Sequence, residues 1–77
     1  METHLLELLR ERERIIADHA WRDRDAAGHL DALRDVSMAI SAWVEANAGN
    51  IDARLLHFLE NASYAKARAV LEARLGK

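Results

Sequence analysis

The chain has 77 residues, no cysteine and no proline, and its 11 lysine and arginine residues against 13 aspartate and glutamate residues give a formal net charge of −2. This length predicts a single domain, and the lack of cysteine excludes disulfides, thiol nucleophiles and thiolate metal sites. No apolar run approaches the roughly 18 residues that a membrane span needs, and no signal peptide is recognisable, so we expect a cytoplasmic protein without a membrane partner.

The composition predicts an all-α fold, specifically a small three-helix bundle. Alanine, leucine, glutamate and arginine are abundant, and all four have high helix propensity. No stretch alternates polar and apolar residues between turn residues, as strands do. The helix boundaries therefore depend on capping residues and on the period of the apolar positions.

The first predicted helix covers about residues 3–22. Its apolar positions recur every three or four residues, and the opposite face carries oppositely charged pairs at the same spacing. This pattern is typical of a helix with one packed face and one solvent-exposed face. The apolar stripe consists of Leu5, Leu8, Leu9, Ile15, Ile16 and Ala20.

The second predicted helix covers about residues 26–47, with Asp25 as its N-cap. It has two apolar faces, one of bulky and one of small side chains. Such a helix is expected at the centre of a bundle or at a subunit interface. The bulky face contains Leu30, Leu33, Val36, Ser37, Ile40, Trp43 and Val44, and the small face contains Ala32, Ala39 and Ala46.

The C-terminal part of the chain predicts a third helix over about residues 52–61, with Asp52 as its N-cap. After this helix the apolar stripe rotates by roughly half a turn. We therefore expect a break near residues 61–63, with Ser63 as the N-cap of a short fourth helix over about residues 64–75. A continuous third helix that packs on two sides is the alternative.

Four ionisable residues form a candidate polar cluster. Arg12, His19 and Asp23 lie in line with the core leucines of the first predicted helix, and His29 lies within the apolar stripe of the second. Burying such groups without partners costs several kcal/mol. They either form a buried network or pocket, or Arg12 extends its charged end to solvent while His19 pairs with Asp23 at a frayed helix end. We favour the second interpretation.

Several residues are candidates for an interface with another chain. Trp21 is out of phase with the apolar stripe, so it either folds back at the helix end or faces a partner. Met38 also lies off its stripe, and the small face offers a close approach between helices. The candidate interface residues are Trp21, Ala32, Met38, Ala39 and Ala46.

Nothing in the sequence predicts catalysis or a bound cofactor. There is no glycine-rich phosphate loop and no nucleophile elbow. Histidine and carboxylate residues at helical spacing supply two ligands at most, whereas a metal site needs three or four. We therefore predict no enzyme, no catalytic residue, no cofactor and no metal site.

The leading hypothesis is a non-enzymatic interaction or structural protein that forms a homo-oligomer, with a dimer favoured. A nucleic-acid-binding or regulatory protein is the alternative. Charge disfavours it, because residues 50–77 carry five lysine and arginine residues against three acidic ones, a surplus of +2 that is spread around the helix. A third hypothesis is a small-ligand or metal binder that uses the histidine and carboxylate cluster.

Overall fold

The computed structural model describes residues Glu2–Gly76, and this part of the chain is all-α, which confirms the predicted class. Three longer helices form the bundle, and two short helices connect them. A single 3₁₀ turn over Ala48–Asn50 follows the third helix. In the described residues the α-helices are α1 (Glu2–Ala17), α2 (His19–Arg24), α3 (Ala26–Asn47), α4 (Ala53–Glu60) and α5 (Tyr64–Leu75).

The prediction of a single first helix over residues 3–22 is wrong, because the chain breaks at Asp18 into α1 and α2. Asp18 has a non-helical backbone, with φ −83° and ψ 76°. Its carboxylate accepts a hydrogen bond from the amide of Trp21 at 3.0 Å. An aspartate that caps the next turn competes with continuation of the preceding helix. The first helix therefore ends at Ala17, earlier than the apolar pattern predicts.

The predicted break near residues 61–63 is confirmed. Ala62 has φ 55°, a left-handed conformation that a helix cannot continue through. The amide of Ser63 donates a hydrogen bond to the carbonyl of Phe58 at 2.8 Å, which closes the end of α4. Ser63 occupies the N-cap position of α5, but its side chain makes no capping hydrogen bond.

The other predicted caps form as expected. The Asp25 carboxylate accepts from the amide of Gly28 at 3.1 Å, and the Asp52 carboxylate accepts from the amide of Leu55 at 3.1 Å. Each satisfies one of the amides that have no partner in the first turn of a helix. These caps fix where α3 and α4 begin.

The central helix of the bundle is α1, and not the helix with two apolar faces. α1 packs against α3 on one side and against α5 on the other. Leu6 lies outside the predicted stripe, yet it is 1% exposed, because it belongs to the core that α5 completes. The buried core consists of Leu5, Leu6, Leu9, Ile40, Trp43, Leu55, Leu59, Ala67 and Leu71.

Ion pairs fix the direction of α5 against α1. The start of α1 pairs with the end of α5, and later positions of α1 pair with earlier positions of α5, so the two helices are antiparallel. Several of these side chains are only partly exposed, which protects the pairs from full solvent screening. The pairs are Glu2 with Arg74, Arg10 with Glu72, and Glu13 with Arg68.

Candidate interaction surface

The side of α3 that points away from α1 is open to solvent. α3 has 22 residues, which corresponds to a length of about 33 Å. Its buried residues, among them Val36, Ile40 and Trp43, all lie on the side that meets the bundle. The opposite side, which we call the outer face of α3, consists of the exposed residues Leu30, Asp31, Arg34, Met38, Ser41, Ala42 and Glu45.

The outer face of α3 carries two large apolar side chains in the open. Met38 is 63% exposed and Leu30 is 55% exposed. Leu30 was predicted within the buried bulky stripe, and this prediction is wrong, because the described chain places no element over that edge of α3. Single exposed apolar residues are ordinary on protein surfaces. Two on one helical face, with small Ser41 and Ala42 beside Met38, form a surface that another helix can approach.

The remaining candidate interface residues lie elsewhere. Ala32 and Ala39 are half-buried at the edge between the packed and outer sides of α3, and Ala46 is exposed. Trp21 is half-buried on α2, and its ring meets the ring of His29 edge-on, with the centroids 5.5 Å apart. Folding back, the first of the two alternatives for Trp21, is therefore what the monomer adopts.

The candidate polar cluster does not form. The guanidinium of Arg12 lies 4.4 Å from the ring centroid of Tyr64 on α5, while its Nε is buried without a hydrogen-bond partner among the described residues. His19 and Asp23 are exposed on α2. In the described chain no hydrogen bond or ion pair joins them, so the expected pairing of His19 with Asp23 is absent as well. The short α2 separates residues that one continuous helix would have aligned.

His29 is the member of that cluster with a defined structural role. It is 6% exposed, and its Nε2 donates a hydrogen bond to the carbonyl oxygen of Ile15 at 2.6 Å. This carbonyl lies in the last turn of α1, where helix carbonyls lack partners within the helix. The histidine thus links the end of α1 to the start of α3, which accounts for an ionisable residue within an apolar stripe.

A second surface, which the sequence analysis missed, lies between α4 and α5. Arg54 and Lys66 flank the ring of Phe58 there, at 5.7 Å and 6.0 Å from its centroid. Arg54 and Phe58 lie four residues apart on one helix, so the sequence alone could have predicted their contact. Lys66 reaches the same ring only because the break at residues 61–63 folds α5 back beside α4.

Around α5 most other charges are already paired. Glu72 accepts hydrogen bonds from Arg10 and Arg68, which lower its pKa. A hydrogen bond from the amide of Leu55 lowers the pKa of Asp52, with a further contribution from Arg74. In contrast, neither Arg54 nor Lys66 has an ion pair with any described residue. The free positive charge of this region is therefore concentrated beside Phe58.

The described residues hold no group of three or more histidine or carboxylate side chains that could bind a metal ion. No helix within Glu2–Gly76 is both long enough and apolar enough to cross a membrane. Comparison with known protein families, with curated proteins and with solved structures finds no match to this chain. Its function is therefore inferred from its own surfaces.

Proposed function

We propose that the protein is a non-enzymatic interaction module that forms a homodimer through the outer face of α3. The observation that carries this proposal is the 63% exposure of Met38 in the middle of that face. Methionine fills irregular gaps between helices well, because its side chain is unbranched and flexible. In a symmetric dimer, Met38 of each copy would be buried against α3 of the other copy.

Charge complementarity favours an antiparallel arrangement of the two α3 helices. The outer face carries Arg34 before Met38 and Glu45 after it along the helix. If the two-fold axis passes between Met38 and Ser41, Arg34 of each copy lies opposite Glu45 of the other. A register shifted so that Asp31 faces Glu45 would place like charges together, which is destabilising. The charges therefore favour the first of these two registers over the second.

The size of the monomer surface indicates whether the chain needs a partner to fold. The chain exposes 4881 Å², close to the roughly 4,700 Å² expected for a folded monomer of this size. The monomer is therefore compact without a partner. An interface of standard size buries about 800 Å² per partner, roughly a sixth of this surface. We expect folded monomers that associate reversibly, so the fraction of dimer should rise with protein concentration.

The other two hypotheses have less support. A nucleic-acid footprint requires several cations free to contact phosphates, whereas Arg68 and Arg74 are each bound to carboxylates of neighbouring helices. A ligand site at the polar cluster requires Arg12, His19, Asp23 and His29 to meet. Instead, Arg12 contacts the ring of Tyr64, and His29 contacts the carbonyl of Ile15.

Light scattering after size exclusion, over a wide range of loading concentrations, tests the proposal. The wild-type mass should rise from monomer to dimer with concentration, and Met38→Glu should remain a monomer because the interface would bury an unpaired carboxylate. Ala65→Glu, which adds the same charge at an exposed position on α5, should behave as wild type. A wild-type mass that stays monomeric throughout, or a Met38→Glu variant that still dimerises, would overturn the proposal.

A further inference from the structure

The groove between α4 and α5 is open and has an apolar floor. Its volume is about 740 Å³. Phe58 of α4 and Val70 of α5 are half-buried in the floor, and Ala69 and Ala73 of α5 are exposed beside them. Phe58 also packs against the core, so the floor is anchored to the rest of the bundle.

The shape of this groove suits a helix. Lys66, Ala69, Val70 and Ala73 recur at the spacing that places them along one strip of α5. Small side chains along such a strip let the axis of a second helix approach closely, because its ridges find room between them. Phe58 forms a wall along one side of the strip. An amphipathic helix could therefore insert its apolar side chains against the ring.

The charge of this groove suits an acidic partner. Arg54 and Lys66 are both exposed and lie within 6.0 Å of the centroid of the Phe58 ring. Neither has a carboxylate partner among the described residues, and two like charges around one ring repel each other. Carboxylates placed beside the apolar contact would relieve that repulsion and pair with both cations.

A partner helix fits these observations better than a nucleic acid does. The free cations number two, because Arg74 at the groove edge is held by Glu2 and Asp52. Two phosphate contacts give little affinity at physiological salt. An apolar floor between two cations, in contrast, matches the pattern of an amphipathic helix that binds through apolar anchors and flanking acidic residues.

We infer that the groove between α4 and α5 binds an acidic amphipathic helix of a partner protein. Apolar side chains of that helix pack on Phe58 and Val70, and its carboxylates pair with Arg54 and Lys66. This site is separate from the outer face of α3, so it does not rest on the proposed dimer. An experiment can therefore disprove the dimer or the helix-binding groove without affecting the other proposal.

Fluorescence anisotropy with a designed peptide tests this inference. The probe is a fluorescein-labelled synthetic helix with leucine at every third or fourth position and glutamate beside it, and the matched peptide has lysine in place of each glutamate. The acidic peptide should bind saturably, and the basic peptide should not. The double variant Arg54→Glu/Lys66→Glu should bind about tenfold more weakly or worse. The double variant Arg22→Glu/Arg24→Glu, at exposed positions on α2, should bind as wild type.

A second pair of variants separates binding in the groove from charge attraction alone. Ala69→Gln places a longer side chain over the groove floor at an exposed helical position, so the fold should persist while the peptide is displaced. Ala65→Gln lies outside the groove and should have no effect. Met38→Glu should also leave peptide binding unchanged, whatever it does to the dimer.

Three results would overturn the inference. Equal binding of the acidic and basic peptides would remove the role of charge, and unchanged binding by Ala69→Gln would place the peptide elsewhere. Binding of a fluorescein-labelled single-stranded oligonucleotide that depends on Arg54 and Lys66, without binding of the acidic peptide, would assign the groove to nucleic acid instead.

Discussion

α5 and α3 both pack against α1, but they differ in what they leave exposed. α5 has only 12 residues, yet its buried residues Ala67 and Leu71 complete the core. α3 has 22 residues and more apolar side chains, yet one whole side of it faces solvent. The number of apolar residues in a helix therefore does not determine how much of its surface the bundle covers.

Charge placement explains the difference between these two helices. Three of the four charged residues of α5 are used inside the monomer, where Arg68, Glu72 and Arg74 bind side chains of α1 and of the α4 cap. The charged residues on the outer face of α3 are left at the surface, with only the long 3.9 Å pair between Arg34 and Asp31. α5 therefore uses most of its charged side chains within the fold and leaves Lys66 for the groove beside α4, whereas the charged side chains of the outer face of α3 are available to a second molecule.

The largest expected effect comes from comparing a buried leucine of α1 with an exposed leucine of α3. Leu6→Ala removes a side chain that is 1% exposed, so it should lower the free energy of unfolding by about 2–5 kcal/mol. The matched variant Leu30→Ala, at a site that is 55% exposed, should change it by less than about 0.5 kcal/mol. Chemical denaturation at a concentration where the protein is monomeric measures both. Equal losses would contradict the assignment of α3 as open.

The link between α1 and α3 is expected to contribute the next largest effect. His29→Ala removes the hydrogen bond to the carbonyl of Ile15 and leaves that acceptor without its side-chain donor. The free energy of unfolding should fall by about 1–2 kcal/mol, because a buried ring and its hydrogen bond are lost while the amide of Asp18 still donates to the carbonyl. His19→Ala, at an exposed position, should leave it almost unchanged. If the two histidine variants unfold alike in urea, His29 does not connect the helices.

The cap that separates α1 from α2 should have a smaller effect. Asp18→Ala leaves the amide of Trp21 without its acceptor, which should lower the free energy of unfolding by about 1 kcal/mol. Asp23→Ala removes an equal charge from α2 without removing a cap. It should cost less than half as much in the same denaturation experiment. A larger loss for Asp23→Ala would show that charge, and not capping, sets this boundary.

Acid should weaken the contacts that α5 makes with α1 and with the α4 cap. The pKa values of Glu72 and Asp52 are lowered from their ordinary values of 4.5 and 3.8 in the folded protein. Their contribution to stability is therefore fully present above those ordinary values, and it is lost below them as the pH falls through the lowered pKa values of the folded protein. Denaturation curves recorded from neutral pH to pH 3 should show this loss. Glu72→Gln should reduce the pH dependence, and an unchanged dependence would contradict the account.

The sequence was most informative where a local rule decides the structure. The caps Asp25 and Asp52 and the break at residues 61–63 were predicted, because capping and helical phase are properties of neighbouring residues. Asp18 was missed because the same carboxylate also suits an ion pair with Arg14 or Arg22 on a continuous helix. Local spacing alone does not decide between those two uses.

The rest of the structure depends on contacts between residues far apart in the chain. Leu6 is buried because α5 returns beside α1, and Lys66 meets Phe58 because the chain reverses at Ala62. The partner of His29 is a backbone carbonyl, which every residue carries and which leaves no signal in the sequence. Most helix boundaries and the position of Met38 off the packed side of α3 were therefore predictable, whereas the choice of central helix and the groove between α4 and α5 were not.

The most direct test of the account is site-specific cross-linking, because the chain contains no cysteine. Ser41→Cys places one thiol near the proposed two-fold axis on the outer face of α3, and Ala65→Cys places one on α5 as a control. A short bismaleimide should yield a covalent dimer of Ser41→Cys and leave Ala65→Cys monomeric. Absence of a Ser41→Cys dimer at high protein concentration, or equal cross-linking of the two variants, would contradict association through α3.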